Sequence, residues 1–289
     1  MPIPAFINPR GGSADEAREA LGGDSRFAVR EVSPEELPRA VRADVAGGAR
    51  RILVAGGDGT IRTAAGVVAG TDVEMAILPG GTLNHFARDH AIPTAPGEAL
   101  EVAASAASSP VDVGVVNGEV FLNTSSVGVY PRFVRLREQY EPRLGYYLAS
   151  VTALLVSLAR LRPLAVHLEV DGAPRQFVSP LVFVGVGERE LRFPKLGGRA
   201  EGGVRALQVV VVRGGTRSRL ALVALAAAAR GGSGARLRGL ATTLAARCTL
   251  DPGRHEPTVS LDGELVRMRA PLEYRLAPGA LRVVGARGH

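Results

Sequence analysis

The run most suggestive of chemistry is Gly56-Gly57-Asp58-Gly59-Thr60, set between an apolar segment, Arg51 to Ala55, and an amphipathic one that starts at Thr60. Glycines there let a backbone come close to an anion, while the free N–H groups and dipole of a helix start attract phosphate. Asp58, expected as an exposed loop carboxylate, is the odd member. Beside a phosphate cradle it repels the ligand unless it binds an accompanying Mg2+ or accepts a proton, so the run points to metal-assisted phosphoryl chemistry. Taken alone, the run also reads as a tight turn with an Asp cap. Two companion loops favour the phosphate reading. In Pro79-Gly80-Gly81-Thr82-Leu83-Asn84-His85-Phe86-Ala87-Arg88, Thr82 is placed to cap a helix and bond a phosphate oxygen. Asn84 and Arg88 then share a helical face, four residues apart. In Asn8-Pro9-Arg10-Gly11-Gly12, Asn8 suits a nucleotide hydroxyl or base, though an Asn-Pro turn explains it nearly as well.

Other constellations are ruled out by inspection. The only lysine is Lys195, followed by Leu196 and Gly197, so neither a Gly-Lys-Ser/Thr phosphate loop nor a Val-Ala-Ile-Lys strand exists. His85 and His90 are five apart, off a common helical face, and no His/Cys spacing suits a metal. Asp262-Gly263-Glu264, after Thr258 to Leu261, reads by itself as a hairpin turn, as does Asp171-Gly172.

The elements that must position these loops repeat three times in the first 110 residues: strand, glycine loop, helix. The units are Ile3 to Asn8 with a helix near Ala14 to Leu21, Arg51 to Ala55 with a helix from Thr60, and Met75 to Leu78 with a helix from Thr82. The pattern predicts a parallel sheet, with all three loops at the carboxyl edge where ligands bind. From Val111 the pattern changes to closely spaced strands, opening with Val111 to Val116, an Asn117-Gly118 turn, and Glu119 to Asn123. Further strands are expected at Val166 to Val170, Val182 to Gly187, Leu207 to Val212, Thr258 to Leu261, Leu265 to Arg269, Leu272 to Leu276 and Leu281 to Val284. Helices are expected at Leu144 to Arg160 and Ser218 to Arg230. The fold class is therefore α/β, with an N-terminal parallel-sheet nucleotide-binding domain followed by a mostly antiparallel, β-rich second domain.

Composition narrows the partners. The 289 residues are 46% hydrophobic, enough for a sizeable core. The net charge of +7 comes from scattered arginines; with 4% aromatics and no Trp, nucleic acid is not the expected partner. Cys248 is the only cysteine, and no signal-like segment stands at Pro2 to Asn8, so a cytoplasmic location is expected. Leu144 to Ala159 and Leu220 to Ala229 are each too short to span a bilayer.

With these motifs in order, the chain resembles the diacylglycerol kinase catalytic superfamily, which includes sphingosine, ceramide and bacterial lipid kinases. The resemblance runs from Ile3 to Val284 and includes Val111-Asp112-Val113-Gly114 and Phe121-Leu122-Asn123. It implies an ATP-binding domain over residues 1–111, with 280–289 free to return to it, and a lipid-substrate domain over 112–279. The implied activity is transfer of the γ-phosphate of ATP, with Mg2+, to a hydroxyl of diacylglycerol or a related lipid. Asn8, Pro9, Gly11, Gly56, Gly57, Gly59, Thr60, Gly80, Gly81, Thr82, Asn84 and Arg88 would surround ATP. Asp262 or Asp58 would be the proton acceptor, the two standing close together, with Asp58 and Glu264 at the metal. A lipid acceptor implies peripheral, reversible membrane contact; a homodimer is left open. The chain departs from the family at Val186-Gly187-Glu188-Arg189, where many relatives carry an Asn-Asn pair, and at Gly202-Gly203-Val204-Arg205-Ala206, a degraded Leu-Asp-x-Gly-x-Leu pattern. An NAD-kinase-like or other small-molecule kinase shares the Gly-Gly-Asp-Gly core, and a catalytically silent lipid- or nucleotide-binding module is the alternative outside enzymes.

Overall fold

Apolar runs bounded by glycine turns in the first third of the chain form parallel strands covered on both faces. The computed structural model describes residues 2–160, 163–170, 172–190, 198–200, 202–212 and 240–286. Lys195, Asp171 and the expected helix Ser218 to Arg230 lie outside the described residues. The chain divides into two compact units, Met1–Val113 with Ala277–His289, and Gly114–Leu276.

In the first unit, strands β1 (Ile3–Ile7), β2 (Phe27–Glu31), β3 (Arg51–Gly56) and β4 (Glu74–Pro79) form a parallel sheet in the order β2-β1-β3-β4. Helices α1 (Ala14–Leu21) and α5 (Pro96–Ser105) cover one face, burying Ala17, Leu21, Leu100 and Ala103 against Ile7, Leu53, Ala55 and Leu78. Helices α2 (Leu37–Ala46) and α3 (Asp58–Val68) bring Val41, Ile61 and Ala65 into the core beside β3 and β4. A short helix, α4 (His85–Asp89), follows β4. The β2–α2 pair is absent from the sequence expectation: the apolar part of β2, Phe27-Ala28-Val29, is short, no glycine loop follows it, and only Phe27 is buried. Burial on both faces explains the continuous apolar runs of β3 and β4.

Strand β5 (Ser108–Val116) leads into the second unit, and β16 (Leu272–Val284) returns, its Arg282 and Val283 paired in parallel with Glu74 and Met75 of β4. The sequence suggests two strands separated by Pro278-Gly279. The structure has one, because Gly279 takes φ 60° and donates its N–H to the buried carboxylate of Asp112 at 2.7 Å.

The second unit is an antiparallel β-sandwich. One sheet runs β12 (Leu240–Ala245), β11 (Leu207–Val212), β10 (Leu181–Val186), β7 (Thr124–Gly128), β14 (Thr258–Leu261), β15 (Glu264–Arg267). The other places β13 (Arg247–Asp251) between β16 and β8 (Leu164–Val170), with β9 (Ala173–Ser179) outside. Val184, Leu207, Val209 and Leu261 from the first sheet share a core with Val166, Leu168, Leu250 and Tyr274 from the second. The Asn117-Gly118 hairpin between β5 and β6 (Glu119–Phe121) has φ 47° and 90°, the type I′ geometry that this pair favours.

Helix α6 (Val129–Ala159) is interrupted at Gly145, φ 70° and ψ 165°. A straight helix would separate Arg132 from Arg160 by about 40 Å at its usual rise. Instead Arg132 Nη1 lies 3.5 Å from the carbonyl oxygen of Arg160, so α6 doubles back as a helical hairpin. The expected helix Leu144 to Arg160 is its second limb; the first, rich in Arg and Glu, carries no long apolar run.

Candidate functional site

The first-unit sheet reverses its strand order between β1 and β3, the switch point where open α/β sheets leave a crevice beyond the carboxyl ends. Asn8 ends β1, and its Nδ2 donates across this point to Thr60 Oγ1 at 3.3 Å. Its Oδ1 accepts from Arg10 N–H at 3.0 Å, which fixes the amide's orientation. The crevice between the β1 and β3–β4 loops holds only about 10 Å3 of free space, so a nucleotide would lie over its rim.

The glycines serve an unexpected purpose. A Cβ on Gly81 would stand 2.9 Å from Gly57 Cα and 2.9 Å from Asn84 Oδ1, and one on Gly56 would stand 2.8 Å from Thr60 Cβ. Here the absence of side chains lets two loops close on each other before any anion is present. Gly80 N–H donates to Gly56 carbonyl at 2.9 Å, and Ser13 Oγ donates to Gly80 carbonyl at 2.5 Å, tying the third loop to the second. Ser13 was not among the expected site residues; its signal was its place at the start of α1, which its hydroxyl does not cap.

Asp58 is not a loop residue but the first residue of α3, half-buried. Its Oδ2 and Oδ1 accept the N–H groups of His85 and Phe86 at 3.2 and 3.1 Å. The carboxylate therefore fastens the start of α4 to the start of α3. The expected helix from Thr82 begins only at His85. Asn84 precedes it in the left-handed conformation, φ 48°, with its Oδ1 accepting Gly81 N–H at 2.8 Å. Thr82 is thus no helix cap, and Asn84 and Arg88 do not share a helical face; Thr82, Arg88 and Pro9 are exposed. Asn8, Gly11, Gly56, Gly57, Asp58, Thr60, Gly80, Gly81 and Asn84 come together, and Gly59 lies in the first turn of α3. That turn leaves N–H groups without intrahelical acceptors, an anion-binding end.

In the second unit, Asp262 and Gly263 form a type I′ turn, φ 50° and 95°, between β14 and β15. The Asp262 carboxylate reaches the segment before β7. Oδ2 accepts Leu122 N–H at 2.7 Å, and Oδ1 accepts Asn123 and Thr124 N–H at 2.7 and 2.9 Å. Glu264 is exposed, opposite Leu261 in the hairpin register. Beside this anchor, Asn123 is buried and its Oδ1 has no partner, a polar residue in an apolar setting whose signal was its place after Val120-Phe121-Leu122. Tyr274 OH bonds Ser125 Oγ at 3.0 Å. Burial pushes its phenol well above the usual range, against the pull of that bond, so it stays neutral and fixes the strand that follows Thr124.

At the first departure from the family pattern, Arg189 is buried; its N–H donates to Gln208 Oε1 at 2.8 Å and its Nε to Val186 carbonyl at 3.2 Å. Glu188 Oε2 accepts Val204 N–H at 3.2 Å, linking the two departing segments.

Among the described residues, no group of three or more His, Cys, Asp or Glu side chains is placed to hold a metal ion. Asp58 already receives an N–H on each oxygen; each oxygen keeps a further lone pair, so the carboxylate could still join a metal held chiefly by other ligands.

Comparison with known proteins agrees with this architecture. Residues 2–116 match the model of the diacylglycerol kinase catalytic domain, and residues 126–285 match the YegS C-terminal NAD kinase beta sandwich-like domain. A diacylglycerol kinase of Mycobacterium tuberculosis H37Rv is 31% identical over 64% of this chain and 64% of its own length. A Pseudomonas fluorescens Pf-5 protein named "Probable lipid kinase YegS-like" is 30% identical over 63% of this chain and 60% of its length. The chain thus spans less than two thirds of these relatives. A crystal structure of a diacylglycerol kinase from Bacillus anthracis str. Sterne superposes with a TM-score of 0.69 at 20% identity, covering 98% of this chain and 96% of that one, a likeness of fold. With both family models matched in order along the sequence, the chain belongs to the diacylglycerol kinase catalytic domain family that carries the YegS-type C-terminal β-sandwich.

Proposed function

We propose that this protein is an ATP-dependent lipid kinase that transfers the γ-phosphate to a hydroxyl of diacylglycerol or a related lipid alcohol. The observation that carries the reading is the set of loops locked together around the start of α3, with Asn8 and Thr60 bridged and the N–H groups of Asp58 to Thr60 facing no helical acceptor. This is a rigid surface for phosphates, with charge stabilised by backbone dipoles in place of lysine. Membership of a kinase catalytic family supports ATP as the donor. Mg2+ would arrive coordinated by the nucleotide's own phosphates, since the described side chains build no cage for it.

In this reading the first unit supplies the nucleotide side and the second the acceptor side. Asp262 is the proposed proton acceptor. The backbone N–H groups of Leu122, Asn123 and Thr124 hold its carboxylate in one orientation, as a proton acceptor requires. Asp58 acts by holding the second glycine loop, and Asn123 offers a buried carbonyl oxygen beside Asp262.

The acceptor lives in a bilayer, and no helix among the described residues is long and apolar enough to cross one. Peripheral contact is assigned to the bend of α6. Residues 142–148 are all exposed there, Tyr147 by 81% and Leu148 by 63%, and Val151 and Leu155 continue the apolar stripe along the second limb. Tyrosines and leucines beside Arg143 suit an anionic membrane interface.

The test is incubation of the protein with labelled ATP and Mg2+ against diacylglycerol, sphingoid base, ceramide, phosphatidylglycerol and NAD. Label in a lipid alcohol is expected. Label in NAD alone would replace the reading with an NAD-kinase-like one, which the description of the second domain keeps in the panel. ATP binding with no labelled product would leave a silent binding module.

A further inference from the structure

Outside the loops described above, the second unit contains a cavity of about 370 Å3 at the base of the α6 hairpin, where the two limbs meet β8 and the β13–β14 connection. Its bed is apolar, with Pro131, Leu136 and Leu164 among the lining residues. Among the described residues its charged lining is Arg132, Arg135, Arg160 and Arg254, with no Asp or Glu.

Two of the arginines donate to neutral atoms. Arg135 Nη2 donates to Thr258 Oγ1 at 3.3 Å, and Arg132 Nη1 to the Arg160 carbonyl at 3.5 Å. Neither bond neutralises charge, and none of the four forms an ion pair with a carboxylate among the described residues. Several arginines of the first unit do face carboxylates, as with Arg18 and Glu31, Arg26 and Glu101, and Arg51 and Glu74. Like charges gathered around a cavity without a counter-ion repel one another, and an anion bound among them relieves that repulsion. Guanidinium groups match the oxygens of a phosphate group by geometry, two N–H donors at a time.

We propose that this cavity is a second anion site, distinct from the glycine loops, which binds a phosphate group and admits an apolar body against its proline and leucine bed. The shared chemistry is a phosphate mono- or diester. Its source is either a free phosphate compound or the headgroup of an anionic lipid.

The experiment measures binding to the intact chain with neither ATP nor acceptor lipid present, so its outcome does not depend on the proposed kinase activity. Inorganic phosphate is titrated calorimetrically, and vesicles of phosphatidylglycerol or of phosphatidylcholine are tested by sedimentation. Each is repeated with Arg132→Gln/Arg135→Gln and with Arg39→Gln, which removes an exposed charge on α2 away from both sites. At least a tenfold loss of affinity in the arginine variant, with Arg39→Gln binding like wild type, is expected. If the loss shows with inorganic phosphate, the ligand is a free phosphate compound; if only with phosphatidylglycerol vesicles, it is a lipid headgroup. Bound phosphate should also raise the melting temperature of wild type and not of the arginine variant. Absence of binding in both arms, or equal binding by the arginine variant, overturns the proposal. An unchanged melting temperature of the unliganded variant excludes misfolding as the cause of a loss.

Discussion

The glycine loops of the first unit and the Asp262 turn of the second both set a carboxylate against backbone N–H groups, but over different distances in sequence. Asp58 binds N–H groups 27 and 28 residues away, at the start of the short helix that follows the next strand. Asp262 binds N–H groups 138 to 140 residues away, so its position exists only when the sandwich has formed. The first arrangement is assembled by neighbouring strands of one parallel sheet. The second is a product of the whole second unit, and its carboxylate holds β7 and the β14–β15 turn together whatever else it does. Substitutions should therefore separate into those that disturb phosphate geometry alone and those that disturb both geometry and fold.

The largest effect is expected from Gly81→Ala. The new methyl would stand 2.9 Å from Gly57 Cα, and the backbone must move to admit it. A displacement near 1 Å at a phosphoryl-transfer site lowers turnover by roughly 100-fold. Gly12→Ala is the control on a neighbouring loop, since a Cβ there meets nothing within 4 Å, and its turnover should stay within about twofold of wild type. Steady-state kinetics with ATP and the best acceptor decides. If the two variants behave alike, the loops are not locked in the way the contacts indicate.

Asp262→Asn should be the next in size and, unlike Gly81→Ala, should act twice. The carboxylate accepts three N–H groups, and an amide presents one oxygen and one donor, so at least one backbone N–H loses its acceptor. That costs about 1–3 kcal/mol of stability, in addition to the loss of a proton acceptor. A hairpin argument alone would have Asn tolerated before Gly; the three bonds remove that tolerance. Asp58→Asn loses one of two N–H bonds to a short surface helix, so its melting temperature should fall less while its turnover also drops. Unfolding by urea with parallel kinetics tests the pair. Equal destabilisation of the two variants would erase the contrast between the units.

The same contrast explains what could be read in advance. The parallel sheet, the Asn117-Gly118 hairpin and the loop residues Asn8, Gly56 and Gly81 were legible because they depend on local periodicity and turn chemistry. Strand β2 was not: this edge strand buries only Phe27, its apolar part ends at Val29, and no glycine loop follows it. The start of α4 was misplaced because Pro-Gly-Gly-Thr has the form of a cap, whereas Asn84 in a left-handed conformation and the Asp58 carboxylate set the boundary. The doubling back of α6 rests on Gly145, three residues after Pro142; such a pair marks a break, but no pattern in a single sequence fixes the direction of the second limb. Nor could the anchoring of Asp262 by Leu122 to Thr124 be read, because a contact across 138 residues leaves no periodic trace.

A double variant probes the second unit away from its core. Tyr147→Glu/Leu148→Glu places two charges at the exposed bend of α6. Flotation with vesicles of anionic phospholipid should fall at least tenfold while binding of a soluble ATP analogue is unchanged. Full flotation of the variant would move the membrane contact elsewhere.

The smallest effect concerns pH and the first unit. Glu74 on β4 lies against Arg51, Nη2 to Oε2 2.7 Å, and its Oε1 accepts from Ser108 Oγ at 2.6 Å. Partial burial pushes its carboxyl up, but the bonds from Ser108 and Arg51 and the charge of Arg282 outweigh that and hold it below the ordinary glutamate value of 4.5. A carboxyl that titrates lower in the folded than in the unfolded chain stabilises the fold at pH above 4.5, and that contribution disappears as pH falls through the lower, folded value. The pair is within reach of water, so the contribution is about 1 kcal/mol. Arg51 also bonds the carbonyls of Ala103, Ala104 and Ala106, so loosening the pair frees the end of α5 as well. Glu74→Gln should therefore lower the urea midpoint at pH 7, and the gap to wild type should close as the pH falls below 4.5 and through the lower, folded value. Hydrogen exchange at α5 should rise in wild type over the same window, while the strands of the second unit keep their protection. A gap that stays constant with pH would show that Glu74 stabilises the first unit by packing and not by its charge.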